Sequence, residues 1–545
     1  MYPGLVQFGQ YLYFVVFTQV EAQMDQNERQ FDVAIIGLGP VGSMATLLLS
    51  RAGLTVAAIE QEPAVYALPR AVNLDGELVR AMQPLGLAED LDALLQHVRP
   101  GERAGFANSK HEWLFGDELS DFGPNGWQSM NMFDQPEVES FLRTTALGHA
   151  NVSDYIGYEA ISFEDLSHDE KGESVSVTIA RDGERSLVTA RYLIACDGAA
   201  SPTRKALNIG WHDLGYNHDW LVVDITTKAG HTLGTTTMQV CDPDRISTYV
   251  CTKDPYRRWE FKLNPGETWQ HMLEPATIKS LIEPWTPEGT YEIRRAAMYQ
   301  FHAATADTWR VGNIFIAGDA AHQTPPFLGQ GMNAGLRDVV NLSWKLDLVK
   351  RGVASEDILD AYQAERDAHA HDLVEWAVSI GQLMEHLAAT EGAAHAGLKP
   401  PPMPEHLKKS GYGQGRGQPP LRDGVIMSEQ VGGNSPVGYL FSQPIIQQGT
   451  GKQHLDDLLG SGFAVVALTS EHLKVSPESR ALLAKLGAKL VSLENLELVR
   501  GHLDRGFEQT SVIIVRPDRY IFGIVDGRHH LDDLVSELAA SVHLN

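Results

Sequence analysis

The sequence has little cysteine, a deficit of positive charge and no apolar run long enough to span a membrane. Its three cysteines, Cys196, Cys241 and Cys251, form no C-x-x-C pair, so neither a disulfide framework nor a thiolate metal site is expected. The sequence has 70 acidic and 44 basic residues, a net charge of −26. This balance argues against nucleic acid as a partner and gives no reason to expect binding to an anionic membrane. We expect a soluble protein in a reducing cytoplasm, with no metal site.

The first residues are expected to lie outside the fold. The apolar stretch at residues 11–17 is too short to cross a bilayer, and residues 1–10 contain no Lys or Arg that would mark a signal peptide. Translation is expected to begin at Met24, which makes residues 1–23 foreign to the native protein and residues 1–30 an amino-terminal extension. The 545 residues, 43% of them hydrophobic, suffice for two or more buried cores.

A glycine-rich turn follows the first strand-like segment. Residues 31–36 (FDVAII) form a short apolar run typical of a strand buried in a parallel sheet. Gly37 permits the tight turn, Gly39 lets the backbone approach a pyrophosphate, and Gly42 lets the next helix, about residues 41–52, pack on the strand. The amino end of that helix then points at the phosphates, where unpaired N–H groups favour negative charge.

Glu60 lies at the tip of the second predicted strand, residues 55–59. A carboxylate at this place accepts hydrogen bonds from a ribose diol and repels a 2′-phosphate. The nucleotide bound here is therefore expected to be FAD or NAD rather than NADP.

Two later segments also read as a buried strand that ends in a turn. Residues 192–196 lead into Asp197 and a basic helix start, and residues 313–317 lead into Gly318 and Asp319. The loop at residues 325–333 (PPFLGQGMN) then opens a helix predicted to reach residue 346. This order puts Asp319 near a ribityl hydroxyl and backbone N–H groups beside a flavin ring. The loop residues assigned to that role are Gly331, Met332 and Asn333.

These motifs together resemble those of the group A flavoprotein aromatic hydroxylases, the para-hydroxybenzoate hydroxylase family, over most of the chain. Residues 69–72 (PRAV), the Gln135 region, 258–261 (RWEF), 265–267 (PGE) and 318–322 (GDAAH) are most similar to the 3-(3-hydroxyphenyl)propionate hydroxylase branch. The resemblance implies FAD as cofactor, with NADH or NADPH and O₂ as co-substrates. It also implies a phenolic substrate, such as a 3-hydroxyphenyl acid, hydroxylated through a flavin C4a-hydroperoxide.

Roles for individual residues follow from the same resemblance. Arg70 and Gln135 are expected to contact FAD, and Asp197 to lie where family members gate flavin and NAD(P)H. The resemblance also assigns Asp319 to the ribityl chain. Pro325 and Pro326 match the family's proline pair, where a backbone carbonyl can accept the phenol's proton.

Two questions about the site stay open in the sequence. His322 is a candidate catalytic base, although a histidine in such a loop more often braces the backbone. No arginine matches the family's substrate-carboxylate position, which leaves open the identity of the acid, or whether there is one.

The motifs and the resemblance together imply an α/β fold with a Rossmann-like FAD-binding domain and an inserted β-sheet substrate domain, and shifts in composition along the chain mark the boundaries. The FAD-binding part covers residues 31–397, and its inserted sheet, at about 211–300, is expected to roof the flavin. Candidates for substrate contacts on this roof are Gln239, Tyr249, Tyr256 and Arg258.

A Pro/Gly-rich linker, residues 398–424, is expected to precede a carboxyl-terminal domain. Residues 425–545 resemble the thioredoxin-like domain of phenol hydroxylase relatives, but no cysteine follows Cys251. This domain is therefore expected to support stability or homodimer formation and not dithiol chemistry. A cut near Gly424 is expected to leave flavin binding and reduction nearly unchanged.

Two other functions remain compatible with these motifs. The chain can be an FAD-dependent reductase or oxidase that inserts no oxygen, since the same motifs serve that chemistry. It can also be a flavin-bound scaffold without turnover. Incorporation of labelled O₂ and phenol-stimulated NAD(P)H oxidation separate these alternatives.

Overall fold

The protein is seen in a computed structural model that describes residues 30–166, 174–408, 418–449 and 451–545. Residues 1–29 of the predicted extension and residues 409–417 of the predicted linker lie outside these ranges. The first described elements are β1 Gln30–Ile36, α1 Pro40–Arg51, β2 Val56–Glu60, β3 Asn73–Asp75, α2 Gly76–Ala81, α3 Ala88–Asp92, β4 Arg103–Ala107, β5 Trp113–Glu118, β6 Met130–Met132, α4 Gln135–Leu147, β7 Val152–Ile156, β8 Glu159–Asp165, β9 Val175–Arg181, β10 Glu184–Ala195 and α5 Pro202–Ala206.

The middle of the chain holds most of the second large sheet and the two longest helices. Its elements are β11 Trp211–Asp213, β12 His218–Thr227, β13 Thr237–Val240, β14 Ser247–Val250, β15 Tyr256–Lys262, α6 Trp269–Met272, α7 Pro275–Ile282, β16 Tyr291–Phe301, β17 Ala304–Ala306, β18 Arg310–Val311, β19 Ile314–Ile316, β20 His322–Gln323, α8 Gly331–Lys350, α9 Ala361–His395 and α10 Glu405–Lys408.

The carboxyl-terminal part contains shorter elements. They are β21 Ile445–Gln448, β22 Gly451–His454, α11 Leu455–Leu459, β23 Ala464–Ala467, α12 Pro477–Leu486, β24 Lys489–Ser492, β25 Glu497–Arg500, β26 Val512–Val515, β27 Ile521–Ile524 and α13 Leu531–Ser541.

The nucleotide motifs lie at the carboxyl ends of neighbouring parallel strands. The first sheet has the order β18-β19-β10-β1-β2-β7, with β9 and β8 added beside the first half of β10. Strands β19, β10, β1, β2 and β7 run parallel, and their apolar residues are buried. The three predicted strand-and-turn segments are confirmed as β1, β10 and β19, and they bring their turns to one edge of the sheet.

A second sheet covers this edge and corresponds to the predicted roof. Its order is β16-β12-β15-β14-β13-β4-β5, antiparallel except for the β13 and β4 pair. We refer to it as the roof sheet. Strands β4 and β5 come from residues 103–118, before the predicted range of about 211–300, so the roof is broader than the sequence predicted.

The carboxyl-terminal unit, residues 425–545, has a four-stranded sheet of order β24-β23-β26-β27. Strands β23 and β24 are parallel and joined by α12, whereas β26 and β27 form an antiparallel hairpin before α13. A three-stranded sheet of order β22-β21-β25 lies in the same unit.

This unit shares its core with the part of the chain before residue 398. Trp344 of α8 meets Phe463 edge to face at 5.6 Å between ring centroids, and a single cluster of buried apolar residues runs through both parts. The described end of the predicted linker also packs inward, because Leu421 is fully buried and its N–H donates to the Gly438 carbonyl. The two parts are therefore joined by a continuous interior.

Candidate active site

A cavity of about 1070 Å³ lies between the edge of the first sheet, the roof sheet and the start of α8. Residues of the carboxyl-terminal unit also line it. The cavity is large enough for a dinucleotide headgroup together with a small aromatic molecule.

The glycine turn forms a cradle at one end of the cavity. A side chain at Gly42 would place its Cβ 1.8 Å from the Gly37 carbonyl oxygen, and one at Gly37 would lie 2.5 Å from the Cys196 oxygen. A Cβ at Gly39, by contrast, has no atom within 4 Å and faces the cavity. The open space beside Gly39 and the amino end of α1 fits a pyrophosphate.

Glu60 supports this turn directly. Its carboxylate accepts hydrogen bonds from the N–H groups of Leu38, at 2.7 Å, and Glu62, at 2.8 Å. Arg143 donates to the Leu38 carbonyl at 2.7 Å. Glu60 is buried and does not line the cavity, so the structure shows it holding the cradle in shape.

Arg70 and Gln135 meet at the cavity wall. The Gln135 Oε1 atom accepts from the N–H groups of Arg70, at 2.9 Å, and Ala71, at 2.7 Å. The Arg70 side chain is exposed and lines the cavity with Gln135. Gln135 thus fixes the backbone that carries the cationic Arg70 side chain, which lies 5.2 Å from the centre of the Tyr66 ring.

Asp197 faces away from the cavity. Its Oδ2 atom accepts from the Thr203 N–H at 2.9 Å, next to the start of α5, and its Oδ1 atom is buried without a hydrogen-bond partner among the described residues. Its neighbours Cys196, Gly198 and Ala199 line the cavity instead. Asp197 therefore stabilises the turn that forms this part of the wall.

In the turn at residues 318–322, Asp319 and His322 face different surroundings. The Asp319 side chain is exposed to the cavity. His322 is buried, and its Nε2 atom lies 2.7 Å from Asp338 Oδ2. Burial alone would raise the pKa of Asp338, but the nearby His322 and Arg366 lower it below its usual value. His322 does not line the cavity and braces the turn through Asp338.

The proline loop reaches the cavity with some of its predicted residues. Pro326, Gly331 and Met332 line it, and Pro325 does not. Asn333 is fully buried and joins the loop to β3: its side chain donates to the Asn73 and Gly329 carbonyls and accepts from the Asp75 N–H. Helix α8 begins at Gly331, so its unpaired N–H groups point toward the cavity.

Two of the four predicted roof contacts face the cavity. Gln239 lines it and donates to the Phe327 carbonyl at 3.2 Å. Arg258 also lines it, but its guanidinium is committed to Asp224 and to the carbonyls of Pro69 and Arg70.

The other two predicted contacts do not reach the cavity. Tyr249 belongs to the core on the opposite face of the roof sheet, where its hydroxyl donates to the Gly234 carbonyl. Tyr256 stacks beneath the Arg294 guanidinium at 4.1 Å, beyond the cavity wall. Side chains alternate between the faces of a strand, so these positions depend on register.

Glu260 is a candidate catalytic residue that the sequence analysis named only within the segment 258–261 (RWEF). It shares the cavity face of β15 with Arg258, whose Nη1 atom lies 3.9 Å from Glu260 Oε1. Burial raises the pKa of the Glu260 carboxyl to about 7, although Arg258 and Arg295 favour its ionised form. A signal was present in the sequence, since residues two apart on a strand share a face.

The carboxyl-terminal unit and the end of the linker supply cavity residues that the sequence did not predict. Gln418 donates to Asp75 Oδ2 and to Gln330 Oε1, both at 3.2 Å. Tyr439 and Tyr520 line the same side of the cavity. The site therefore requires residues from both ends of the described chain.

Over the described ranges, no group of three His, Cys, Asp or Glu residues is arranged to hold a metal ion. None of the helices within those ranges combines the length and apolarity needed to cross a membrane.

Comparison with known families identifies the cofactor class. A family model described as an FAD binding domain matches residues 30–377, and one described as an HcaD C-terminal domain matches residues 438–541. The first match contains every strand-and-turn motif of the cavity edge. The protein is thus an FAD-binding flavoprotein, as predicted.

Proteins of similar sequence show which family of flavoproteins the chain belongs to. The 3-(3-hydroxy-phenyl)propionate/3-hydroxycinnamic acid hydroxylase of Klebsiella pneumoniae is 34% identical over 80% of this chain and 77% of its own length. The protein of the same name in Escherichia coli is 31% identical over 90% of this chain and 91% of its own. The chain belongs to their family, the FAD-dependent aromatic hydroxylases, which confirms the predicted family and enzyme class.

Solved structures agree on the fold. Aklavinone-11 hydroxylase, solved with FAD and aklavinone, superposes with a TM-score of 0.76 at 23% identity and covers 95% of this chain and 99% of its own. The flavin-dependent monooxygenase PieE gives a TM-score of 0.73 at 19% identity, covering 94% and 99%. The arrangement of FAD-binding part, roof sheet and carboxyl-terminal unit is therefore shared across nearly the whole length.

Proposed function

We propose that this protein uses NADH or NADPH and O₂ to hydroxylate a phenol beside its existing hydroxyl group, giving a catechol-type product. A 3-hydroxyphenyl acid is the favoured substrate, because the relatives above carry such acids in their names. The observation that carries the proposal is a single cavity that joins the FAD cradle to a largely apolar pocket under the roof sheet.

The cofactor contacts in this proposal follow the cavity wall. The cradle beside Gly39 and the amino end of α1 hold the pyrophosphate. Arg70 contacts FAD from a backbone fixed by Gln135, and Asp319 takes a ribityl hydroxyl. Bound FAD supplies the redox chemistry, accepting a hydride from NAD(P)H and delivering oxygen to the ring.

The chain supplies orientation and protection from water. The N–H groups at the start of α8 face the flavin space, and Pro326 lies between that space and the roof. Val222, Val250 and Phe327 present apolar surface to the same cavity. This lining would hold a flat aromatic ring and keep water away from the reacting centre.

The carboxyl-terminal unit is proposed to be thioredoxin-like in fold and without redox chemistry. A βαβ unit followed by a hairpin and a helix supports the fold, and the sequence has no cysteine after Cys251. The three free thiols fit the proposed cytoplasmic location. Formation of a homodimer stays a prediction, which sedimentation of the purified protein would test.

The deciding experiment is a panel of phenols, including 3-(3-hydroxyphenyl)propionate and 3-hydroxycinnamate, scored for NAD(P)H consumption and hydroxylated product. With labelled O₂, one labelled oxygen atom should enter each product molecule. Product without label would favour the reductase or oxidase alternative. Absence of any phenol-stimulated NAD(P)H oxidation would favour the scaffold alternative.

A further inference from the structure

We propose that Glu260 accepts the proton of the substrate hydroxyl group. This inference rests on the proposed function, since it names the residue that prepares the phenol for attack. A phenolate ring is more electron-rich than a phenol ring and reacts more readily with an electrophilic oxygen.

The location of Glu260 is set by the register of the roof sheet. Glu260 lies directly opposite Val222 on one neighbouring strand and Thr248 on the other, and Thr248 lies opposite Gln239. The Thr248 hydroxyl donates to Gln239 Oε1 at 2.6 Å, and Gln239 donates to the Phe327 carbonyl. This row of side chains therefore leads from Glu260 to the loop that carries Pro326.

Glu260 is available to a ligand. No hydrogen-bond donor among the described residues lies within reach of its carboxyl group, and its oxygens are not sealed from the cavity. The two cations nearby make their hydrogen bonds to other groups: Arg258 donates to Asp224, and Arg295 Nη1 donates to the Pro69 carbonyl. Glu260 is 5% exposed, and its nearest cation, Arg258, is 3.9 Å away, beyond hydrogen-bond distance, so its carboxyl group can still accept a hydrogen bond from a ligand in the cavity.

The charges around Glu260 make it suited to proton transfer near neutral pH. Asp224 on β12 disfavours its ionised form, while Arg258 on its own strand and Arg295 on β16 favour it. The facing residues of β14 are the uncharged Thr248 and Val250. Burial outweighs the two cations and raises the pKa of Glu260 to about 7, which is the range in which a general base is most effective.

The transfer balances without another reactant. The O–H bond of the phenol breaks, an O–H bond forms on Glu260, and the electron pair stays on the phenolate oxygen. Negative charge thus moves from the carboxylate to the substrate, and the reverse transfer restores the product hydroxyl. Pro326 borders the same cavity and Pro325 does not, and a neutral backbone amide does not hold a proton at neutral pH.

The test uses the FAD-loaded enzyme and the best phenol of the panel. In the wild type, kcat/KM for product formation should rise with pH through about 7. Glu260→Gln should remove this rise and lower kcat/KM by about 10²-fold or more above neutral pH. Glu292→Gln is the matched control: Glu292 lies on the rim of the same sheet, paired with Lys228, and outside the cavity, so its pH profile should match the wild type.

A spectroscopic readout separates proton transfer from a structural role. Phenolate absorbs at longer wavelength than phenol, so the ionisation of 3-hydroxycinnamate bound to oxidised enzyme can be titrated without turnover. A carboxylate beside the phenol opposes its ionisation, so in Glu260→Gln the bound phenol should ionise at a pH lower by about one unit or more, a tenfold change in the equilibrium.

The outcomes are distinguishable. If the wild type hydroxylates no phenol, the proposed function itself fails. If the wild type hydroxylates phenols and Glu260→Gln keeps both the pH rise and the bound-phenol titration, the role of Glu260 is overturned while the function stands. If Glu260→Gln does not retain FAD, Glu260→Asp decides: it should keep a pH-dependent rise with a displaced midpoint, and a flat profile would overturn the proposal.

Discussion

At the residue scale, the glycines of the phosphate cradle differ in what a side chain would meet. Gly39 has φ −62°, which any residue adopts, and the space beside it is free of protein atoms. We predict that Gly39→Val folds normally but occupies the phosphate space, giving a colourless protein. Flavin absorbance and circular dichroism of the purified variant check both parts.

Gly42→Ala provides the contrast to that variant. Its Cβ would lie 1.8 Å from the Gly37 carbonyl oxygen, so the backbone must move, and a loss of about 2 kcal/mol or more of unfolding free energy is expected. A Gly39→Val protein with its full yellow flavin content would contradict the assignment of the cradle.

The second residue-scale prediction concerns stability and Glu260. Its pKa is raised by burial to about 7 in the folded protein from an ordinary value of 4.5. The unfolded chain therefore ionises first, and the contribution of Glu260 to stability is lost as pH rises from 4.5 through about 7. Glu260→Gln should be more stable than the wild type above neutral pH, by on the order of 2 kcal/mol.

Thermal unfolding of the wild type and Glu260→Gln across this pH window measures the effect. The gain in thermal stability of Glu260→Gln over the wild type should grow as pH rises and should vanish in acid. A constant difference at every pH would mean that the Glu260 carboxyl does not titrate in this range.

At the scale of elements, α8 is held against the Gly318 turn by buried polar groups. Asp338 of α8 accepts from the Gly318 N–H at 3.0 Å and from Arg366 of α9 at 2.9 Å, beside its contact with His322. His322→Phe removes one partner from a buried carboxylate. It should cost about 1–3 kcal/mol of stability and loosen FAD binding.

The more conservative His322→Gln keeps a hydrogen-bond donor near Asp338, so it should lose less stability than His322→Phe. Because His322 lies outside the cavity, the pH dependence of kcat/KM should be the same in both variants as in the wild type. A variant that loses the rise through neutral pH would restore His322 as a candidate base.

Local sequence patterns predicted individual strands and helices well, but they predicted the pairing and register of the strands less well. The strand at residues 31–36, the helix after it and Asp319 followed from apolar runs and glycine positions that act over a few residues. The pairing of β4 with β13 joins segments more than 130 residues apart, and no local pattern encodes it. The face of a strand that meets the cavity depends on register, which explains why Tyr249 was misplaced and Glu260 overlooked.

At the scale of the whole molecule, a buried ionic cluster joins the carboxyl-terminal unit to α8 and α9. Glu365 accepts from Lys345 at 2.8 Å and from Arg516 at 2.7 Å, and Arg516 also pairs with Asp518. All four side chains are buried. Burial would raise the pKa of Glu365, but Arg516 and Lys345 hold it at about 2.

Glu365→Gln should therefore destabilise the protein by about 3 kcal/mol, since it leaves two buried cations short of a partner. The folded pKa lies below the ordinary 4.5, so this stabilisation is present above that pH and is lost as pH falls toward about 2. Denaturant titrations at several pH values should show the variant and wild type converging in acid. Glu288→Gln, which breaks only an exposed pair with Lys279, should leave the unfolding free energy nearly unchanged.

The buried ionic cluster around Glu365 changes the expected effect of removing residues 425–545. The sequence alone suggested that removal of residues 425–545 would leave flavin binding nearly unchanged. The structure leads to the opposite expectation: the cut removes Arg516, uncovers Trp344 and opens the cavity wall at Tyr439 and Tyr520. We predict a truncated protein that aggregates and retains no FAD, as gel filtration and flavin absorbance would show. A folded, yellow fragment would contradict this expectation.

The position of Tyr520 in the cavity wall also has a consequence for biosynthesis. The cradle at residues 37–42 leaves the ribosome early, yet the wall it faces is finished only when the last hairpin has been made. At about 5–20 residues per second, the intervening stretch of roughly 480 residues takes on the order of half a minute to a minute and a half to synthesise. FAD can meet its first contacts during translation, but it can be enclosed only after the hairpin that carries Tyr520 has been made, so the cofactor must be present until that stretch is synthesised.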